Sequence, residues 1–332
     1  MFLSMFGAVE SGIIYAIMAL GVYLTFRILD FPDLTVDGSF VTGAAVAAIS
    51  IIHGVPPIVA SLLALVAGFL AGCITGLLHT KGKVNPLLSG ILMMTALYSI
   101  NLRILDKPTV SFFNETTFFK QVQSVWEKTG IDSLMNGLLS SVGLTQVPKT
   151  WAIIGVMLMI TLIVKLLTDF FLKTEVGLAL RATGDNKKMI RSFSANTDSL
   201  IILGVGLSNA LVAFAGGLIA QHGGFADVGM GIGMIIIGLA SVIIGEAIFG
   251  TKTIARATLA VIGGAIIYRM VVTLALRVDF LETGDMKLIT AVLVIASLVL
   301  PNMLKSRKEK KRRSEKRLQI ELRRKKEGVT DA

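Results

Sequence analysis

Long apolar runs recur along this chain, and they restrict its fold more than any other feature. Nine can be drawn, at about 6–26, 37–52, 57–78, 85–105, 151–172, 200–220, 231–249, 254–276 and 286–304. Most reach roughly 18 residues, enough for an α-helix to cross a hydrocarbon core about 30 Å thick. The chain is 54% hydrophobic and 16% charged, whereas soluble domains carry about 25% charged residues. The fold expected is an all-α polytopic membrane protein with about 8–10 transmembrane helices, nine being the best count. The 33 glycines fit that class, because small residues let membrane helices approach closely. The second run begins in FPDLTVDGSF, where Pro32 and the adjacent acids break the helical pattern. A broken or partly inserted helix is expected there. The one cysteine, Cys73, sits in an apolar run and allows no intrachain disulfide.

The net charge of +10 is concentrated at one end. From Lys305 onward there are thirteen Lys and Arg against five Asp and Glu, which accounts for +8 of it. This tail, 305–332, reads as a solvated cytoplasmic segment able to touch anionic lipid headgroups. It has no aromatic interleaving, so nucleic acid is not an expected partner. Basic residues mark the cytoplasmic side of membrane proteins. With the tail placed there, alternation puts 27–36, 79–84, 173–199 and 250–253 on the same side. Those loops hold Arg27, Lys81, Lys83, Arg181, Lys187, Lys188, Arg191 and Lys252. The N-terminus then lies outside and the C-terminus in the cytoplasm. Residues 1–304 read as one transmembrane domain. Its long loop, 106–150, falls outside and carries Phe112, Phe113, Phe118, Phe119 and Trp126. Those rings suit the membrane interface, as a cap or as a landing surface for an external partner.

Between two apolar runs lies TEVGLALRATGDNKKMIRSFSANTD, Thr174–Asp198. A simple turn between helices needs about five residues. This segment is far longer and basic, and it places Met189, Ile190 and Phe193 at helical spacing. A surface built to touch another molecule is the expectation.

Enzymatic motifs are absent. His53, His79 and His222 are far apart, so no HExxH zinc site exists and no metal site is expected. No GxxxxGK[ST] phosphate loop occurs. If ATP drives this protein, another chain hydrolyses it. Polar residues within or beside the apolar runs are costly in lipid and mark helix contacts or a pathway. They are Glu10, Asp37, Ser39, Asn85, Asn101, Ser208, Asn209 and Glu246. Of these, Asp37, Ser39, Asn85, Asn101, Ser208 and Asn209 are the candidate pathway residues.

Three segments resemble permeases of ATP-binding-cassette (ABC) importers, in the branched-chain amino acid and ribose permease superfamily. They are DLTVDGSFVTGAAVAA (33–48), KGKVNPLLSGILMMTALYSIN (81–101) and VGLALRATGDNKKMIRSFSANTD (176–198). The third carries Gly177, Arg181-Ala182, Asp185 and Ala195-Asn196-Thr197-Asp198, in the order of the family's cytoplasmic loop; Ser194 stands where that family often has glycine. The wording LTVDGSF points toward an uncharacterised or aromatic-amino-acid-type subgroup. The resemblance implies a bacterial cell membrane protein that passes a small organic solute, amino acid-like and aromatic or branched. It implies two permease chains, a homodimer in the simplest case, with ABC ATPase subunits beneath and an extracellular substrate-binding protein above. ATP with Mg would sit on the partner ATPase and no cofactor on this chain. The 177–198 loop would be the coupling helix, with Gly177, Leu178, Arg181, Asp185, Met189, Ile190 and Phe193 its contact residues. The competing reading is an ion-gradient-driven secondary transporter, which predicts inverted repeats and unwound helices with acidic ion ligands.

Overall fold

A computed structural model describes residues 2–141, 147–193 and 195–276, together with positions 288, 291, 292 and 295. The ninth apolar run, 286–304, otherwise lies outside the described residues, as do Ser194, Arg277 and the tail 305–332.

Helix α1 (Phe2–Tyr23) continues as a π-helical turn over Leu24–Ile28. There follow α2 (Thr35–Ile52), α3 (Pro57–Thr80) and α4 (Pro86–Leu105), then strand β1 (Thr109–Ser111). The loop beyond it folds into α5 (Phe118–Trp126), a 3-10 turn (Glu127–Thr129) and α6 (Ile131–Ser141). Next come α7 (Ala152–Lys173), α8 (Glu175–Ser192), α9 (Thr197–Gly223), strand β2 (Phe225–Asp227), α10 (Met234–Phe249) and α11 (Ile254–Ala275). Among the described residues, seven helices are long and apolar enough to cross a membrane: α1 with its π turn, α2, α3, α4, α7, α9 and α11.

Two elements differ from the sequence expectation. The second run is one unbroken 18-residue helix, with Asp37 in its first turn. The irregular backbone lies just before it, at 29–34. The seventh run gives only the 16-residue α10, about 24 Å at 1.5 Å per residue and short of a full crossing.

Local signals place the helix starts. Asn85 accepts the Leu87 N–H at 3.0 Å ahead of Pro86, and Thr253 accepts the Arg256 N–H at 3.2 Å at the start of α11. Both are side-chain caps that satisfy orphan donors. The centre of the bundle is α1, α2 and α9, and glycine lets them touch. A Cβ on Gly43 would run into the carbonyl of Ala213, and one on Gly216 into that of Phe40. Helices α3, α4 and α7 instead expose apolar faces, including Ile58, Leu62, Leu92, Leu166 and Phe170, as suits lipid contact.

The 106–150 loop is folded onto the end of α9 remote from α8. Its β1 pairs antiparallel with β2, Thr109 opposite Asp227 and Ser111 opposite Phe225. The Phe118 N–H donates to Gln221 Oε1 at 3.0 Å, and the Phe119 ring meets His222 edge-on at 5.3 Å. Phe112 and Phe119 are buried while Phe113 is exposed.

Candidate coupling helix and polar groups of the bundle

Helix α8 begins where Thr174 accepts the Gly177 N–H at 3.2 Å. Two glycines seat it. A Cβ at Gly177 would collide with the Phe171 carbonyl of α7, and one at Gly184 with the Ile28 carbonyl at the end of α1. Leu180 is fully buried between them, packed near Leu29 and Gly204. The helix kinks at Asn186, whose backbone leaves the helical region (φ −157°, ψ 88°). The Asn186 side chain accepts the Met189 N–H at 3.0 Å, so a second short helix starts with its own cap.

Beyond the kink, Arg191 donates to Thr197 Oγ1 at 3.1 Å and to Asp198 at 3.2 Å. Asn196 caps α9 by accepting the Ser199 N–H at 3.2 Å. The Asn-Thr-Asp ending thus fastens the end of α8 to the start of α9. Burial, and then the neighbouring Arg191, pull the Lys187 ammonium below its usual range, with Asp198 opposing them.

The residues expected to form a contact surface divide into two sets. Leu178, Met189 and Phe193 are exposed, Phe193 at 74%, and Asp185 is exposed beside them. Gly177 and Ile190 are buried and face the bundle. Arg181 faces a cavity of about 390 Å³ with Tyr23, Arg27 and Glu246 in its wall.

The candidate pathway residues are dispersed. Asp37 accepts the backbone N–H groups of Gly233 at 2.9 Å and Ile235 at 2.8 Å, and so caps α10. Gly231 packs on the Asp37 backbone and Gly238 on Val22. Helix α10 therefore starts inside the bundle, after a non-helical stretch, which membranes tolerate only where protein or water covers it. Asn101 donates to the Gly38 carbonyl at 3.1 Å. Ser208 donates to the Gly21 carbonyl at 2.6 Å. Asn209 donates to Asp33 at 2.6 Å and to the Val205 carbonyl at 2.9 Å. Ser39 is buried with its hydroxyl unpartnered, and Asn101 and Asn209 each keep a buried, unpartnered carbonyl oxygen. Asn85 is exposed and acts as the cap of α4.

The sequence alone does not point to Asp33, Lys165, Asp169 or Thr258 as partners of other groups in the bundle. Asp33 lies in the segment that carries the resemblance, yet its partner Asn209 is 176 residues away. Glu246 was singled out, and it holds Arg27 through three hydrogen bonds of 2.6–3.1 Å. Lys165 and Asp169 form a buried ion pair at 2.6 Å, and Thr258 donates to the same carboxylate at 2.7 Å. The i,i+4 spacing of that pair is visible in the sequence. Among the described residues, no group of three or more His, Cys, Asp and Glu side chains could hold a metal ion.

Residues 4–298 match the family model described as "Branched-chain amino acid transport system / permease component". A "Tyrosine transport system permease protein" of Clostridioides difficile (strain R20291) is 42% identical over 291 residues, covering 88% of this chain and 89% of that protein. An uncharacterized protein of Rickettsia prowazekii (strain Madrid E) is 32% identical over 295 residues, covering 88% and 95%. No solved structure matches the chain. A bundle of membrane-length helices, a helix lying across one end of it, and a family match over nearly all of its described residues agree: this chain belongs to the family of branched-chain amino acid transport system permease components.

Proposed function

We propose that this chain is the transmembrane permease subunit of an ATP-driven importer in the bacterial cell membrane. Two copies form the pathway, an external binding protein delivers the solute, and ABC ATPase subunits dock on the α8 side. The observation that carries this reading is α8 itself. It is a short helix, not of spanning length, set between the ends of α7 and α9. It anchors through Gly177, Leu180 and Gly184, and it presents Leu178, Met189 and Phe193 outward. A polar-bordered apolar surface of this kind suits a groove on a partner protein. An anchored helix also transmits force without absorbing it, because packed interfaces move as units. The solute proposed is an amino acid with an aromatic side chain, on the strength of the printed name of the 42% identical relative.

Phe193→Asp and Leu178→Asp test the reading. Both positions are exposed, so the variants should insert normally. In the reconstituted transporter, ATP hydrolysis stimulated by the loaded binding protein should fall about five- to thirtyfold, since losing apolar contacts at an interface centre costs about 1–2 kcal/mol. Unchanged stimulation, or transport that persists without ATP, overturns it.

A further inference from the structure

A polar cavity of about 390 Å³ opens where α1, α8, α10 and α11 meet, and coupling alone gives it no role. Its wall holds Arg27 at the end of the α1 span, Arg181 on α8, and Lys252 between α10 and α11. The sole acid in the wall, Glu246, is engaged by Arg27. Arg181 and Lys252 form no ion pair among the described residues. Two uncompensated cations thus share one recess, and the positive end of α11 begins at Thr253 and Ile254 in the same wall. Guanidinium groups match phosphate oxygens in geometry as well as charge.

The position of the cavity selects the source of that phosphate. It lies level with the ends of two membrane-length helices, at Ile28 and Ile254, where headgroups sit. Ile248 (58% exposed) and Phe249 (41% exposed) end α10 just before Gly250 and the cavity residue Thr251. Acyl chains have an apolar wall there while the headgroup reaches the cations.

We propose that this cavity binds the phosphate of an anionic phospholipid, which ties α8 to the ends of α1 and α11. The site goes beyond the coupling role and is tested without any ATPase. The full-length chain is equilibrated with equal amounts of phosphatidylglycerol and phosphatidylcholine, and retained lipid is read by native mass spectrometry. Preferential retention of the anionic lipid is expected. A Lys or Arg near an anionic headgroup contributes about a fivefold change in affinity. Lys252→Gln should weaken retention by about that factor, and Glu246→Gln, which removes the opposing charge, should strengthen it by a similar one. The basic tail can hold headgroups of its own, so the measurement is repeated in Lys310→Gln/Lys311→Gln, where the Lys252→Gln effect should be unchanged. Equal retention of the two lipids by the unaltered chain overturns the proposal, as does an unaltered preference in Lys252→Gln. Displacement of the lipid by inorganic phosphate at a few times the lipid concentration would assign the cavity to a free anion instead. If Lys252→Gln spares lipid retention but loses an ATPase chain in pull-downs from native membranes, the cavity is a protein contact and the lipid assignment fails.

Discussion

Lys165 and Asp169 show how much can rest on single side chains in this bundle. Both are buried in α7, and their contact at 2.6 Å is extended by Thr258 of α11. Asp169 lies about one turn before the end of α7 at Lys173, so the pair fixes the end of the helix that leads into α8. Removing one partner of a buried pair leaves an uncompensated charge and costs about 3–5 kcal/mol, whereas replacing both with apolar residues is often neutral. Lys165→Met should therefore destabilise the bundle by about that amount in detergent unfolding, and Lys165→Met/Asp169→Leu should recover most of it. A single-variant cost below about 1 kcal/mol would mean the pair contributes nothing beyond a surface contact. The sequence shows the i,i+4 spacing of this pair but gives no sign of Thr258, 89 residues on. The same limit hides the Asp33–Asn209 bond. Periodicity reports neighbours on one helix and is silent on which helices meet. Asn85, by contrast, stands immediately before a proline, a helix-start pattern legible without structure, and its cap role is local.

At the scale of elements, α8 and α10 each depend on one close fit. Gly184 brings α8 against the Ile28 carbonyl with no room for a Cβ. Gly184→Val should lift α8 from the end of α1, at a cost of about 1–3 kcal/mol for an overpacked contact. Hydrogen exchange would show it as faster exchange across 177–192 with the centre of α9 unchanged; uniform protection would show that α8 does not lean on α1. For α10 the fit is electrostatic. Asp37→Ala removes the acceptor for the Gly233 and Ile235 amides, and losing a cap of this kind costs about 1 kcal/mol. Exchange at those two amides should rise about fivefold while Ser241 and Gly245 stay protected. The long helices were legible because about 18 apolar residues admit one outcome in a membrane. The sequence predicts a broken or partly inserted helix at α2 because Pro32 and the acids interrupt the helical pattern where the run begins. The structure puts Pro32 ahead of the helix and leaves Asp37 in its first turn, where a carboxylate is favourable. The apolar run extends over 231–233, ahead of α10, and the structure folds those residues into turns, Gly231 against Asp37.

For the molecule as a whole, the arrangement of charge carries the orientation. The described cations Arg27, Lys81, Lys83, Arg181, Lys187, Lys188, Arg191 and Lys252 all lie at the α8 end, within α8 itself, at helix termini or in short connections. The opposite end, in loop 106–150, mixes Lys107, Lys120, Lys128 and Lys149 with Asp106, Glu115, Glu127 and Asp132. An excess of Lys and Arg in short loops sets the cytoplasmic side, and long loops weigh little. The α8 end is therefore expected to face the cytoplasm. Cys73, the single cysteine, makes this directly measurable. In a Cys73→Ala background, a cysteine is placed at exposed Thr116, in the 106–150 loop, or at exposed Ser192, at the end of α8. A membrane-impermeant maleimide should label Thr116→Cys in intact cells and Ser192→Cys only after permeabilisation. Labelling of Ser192→Cys from outside would invert the bundle, and it would remove α8 from reach of any ATPase. Labelling of both from outside would mean an even number of crossings between them, which the single unbroken 22-residue α7 does not allow.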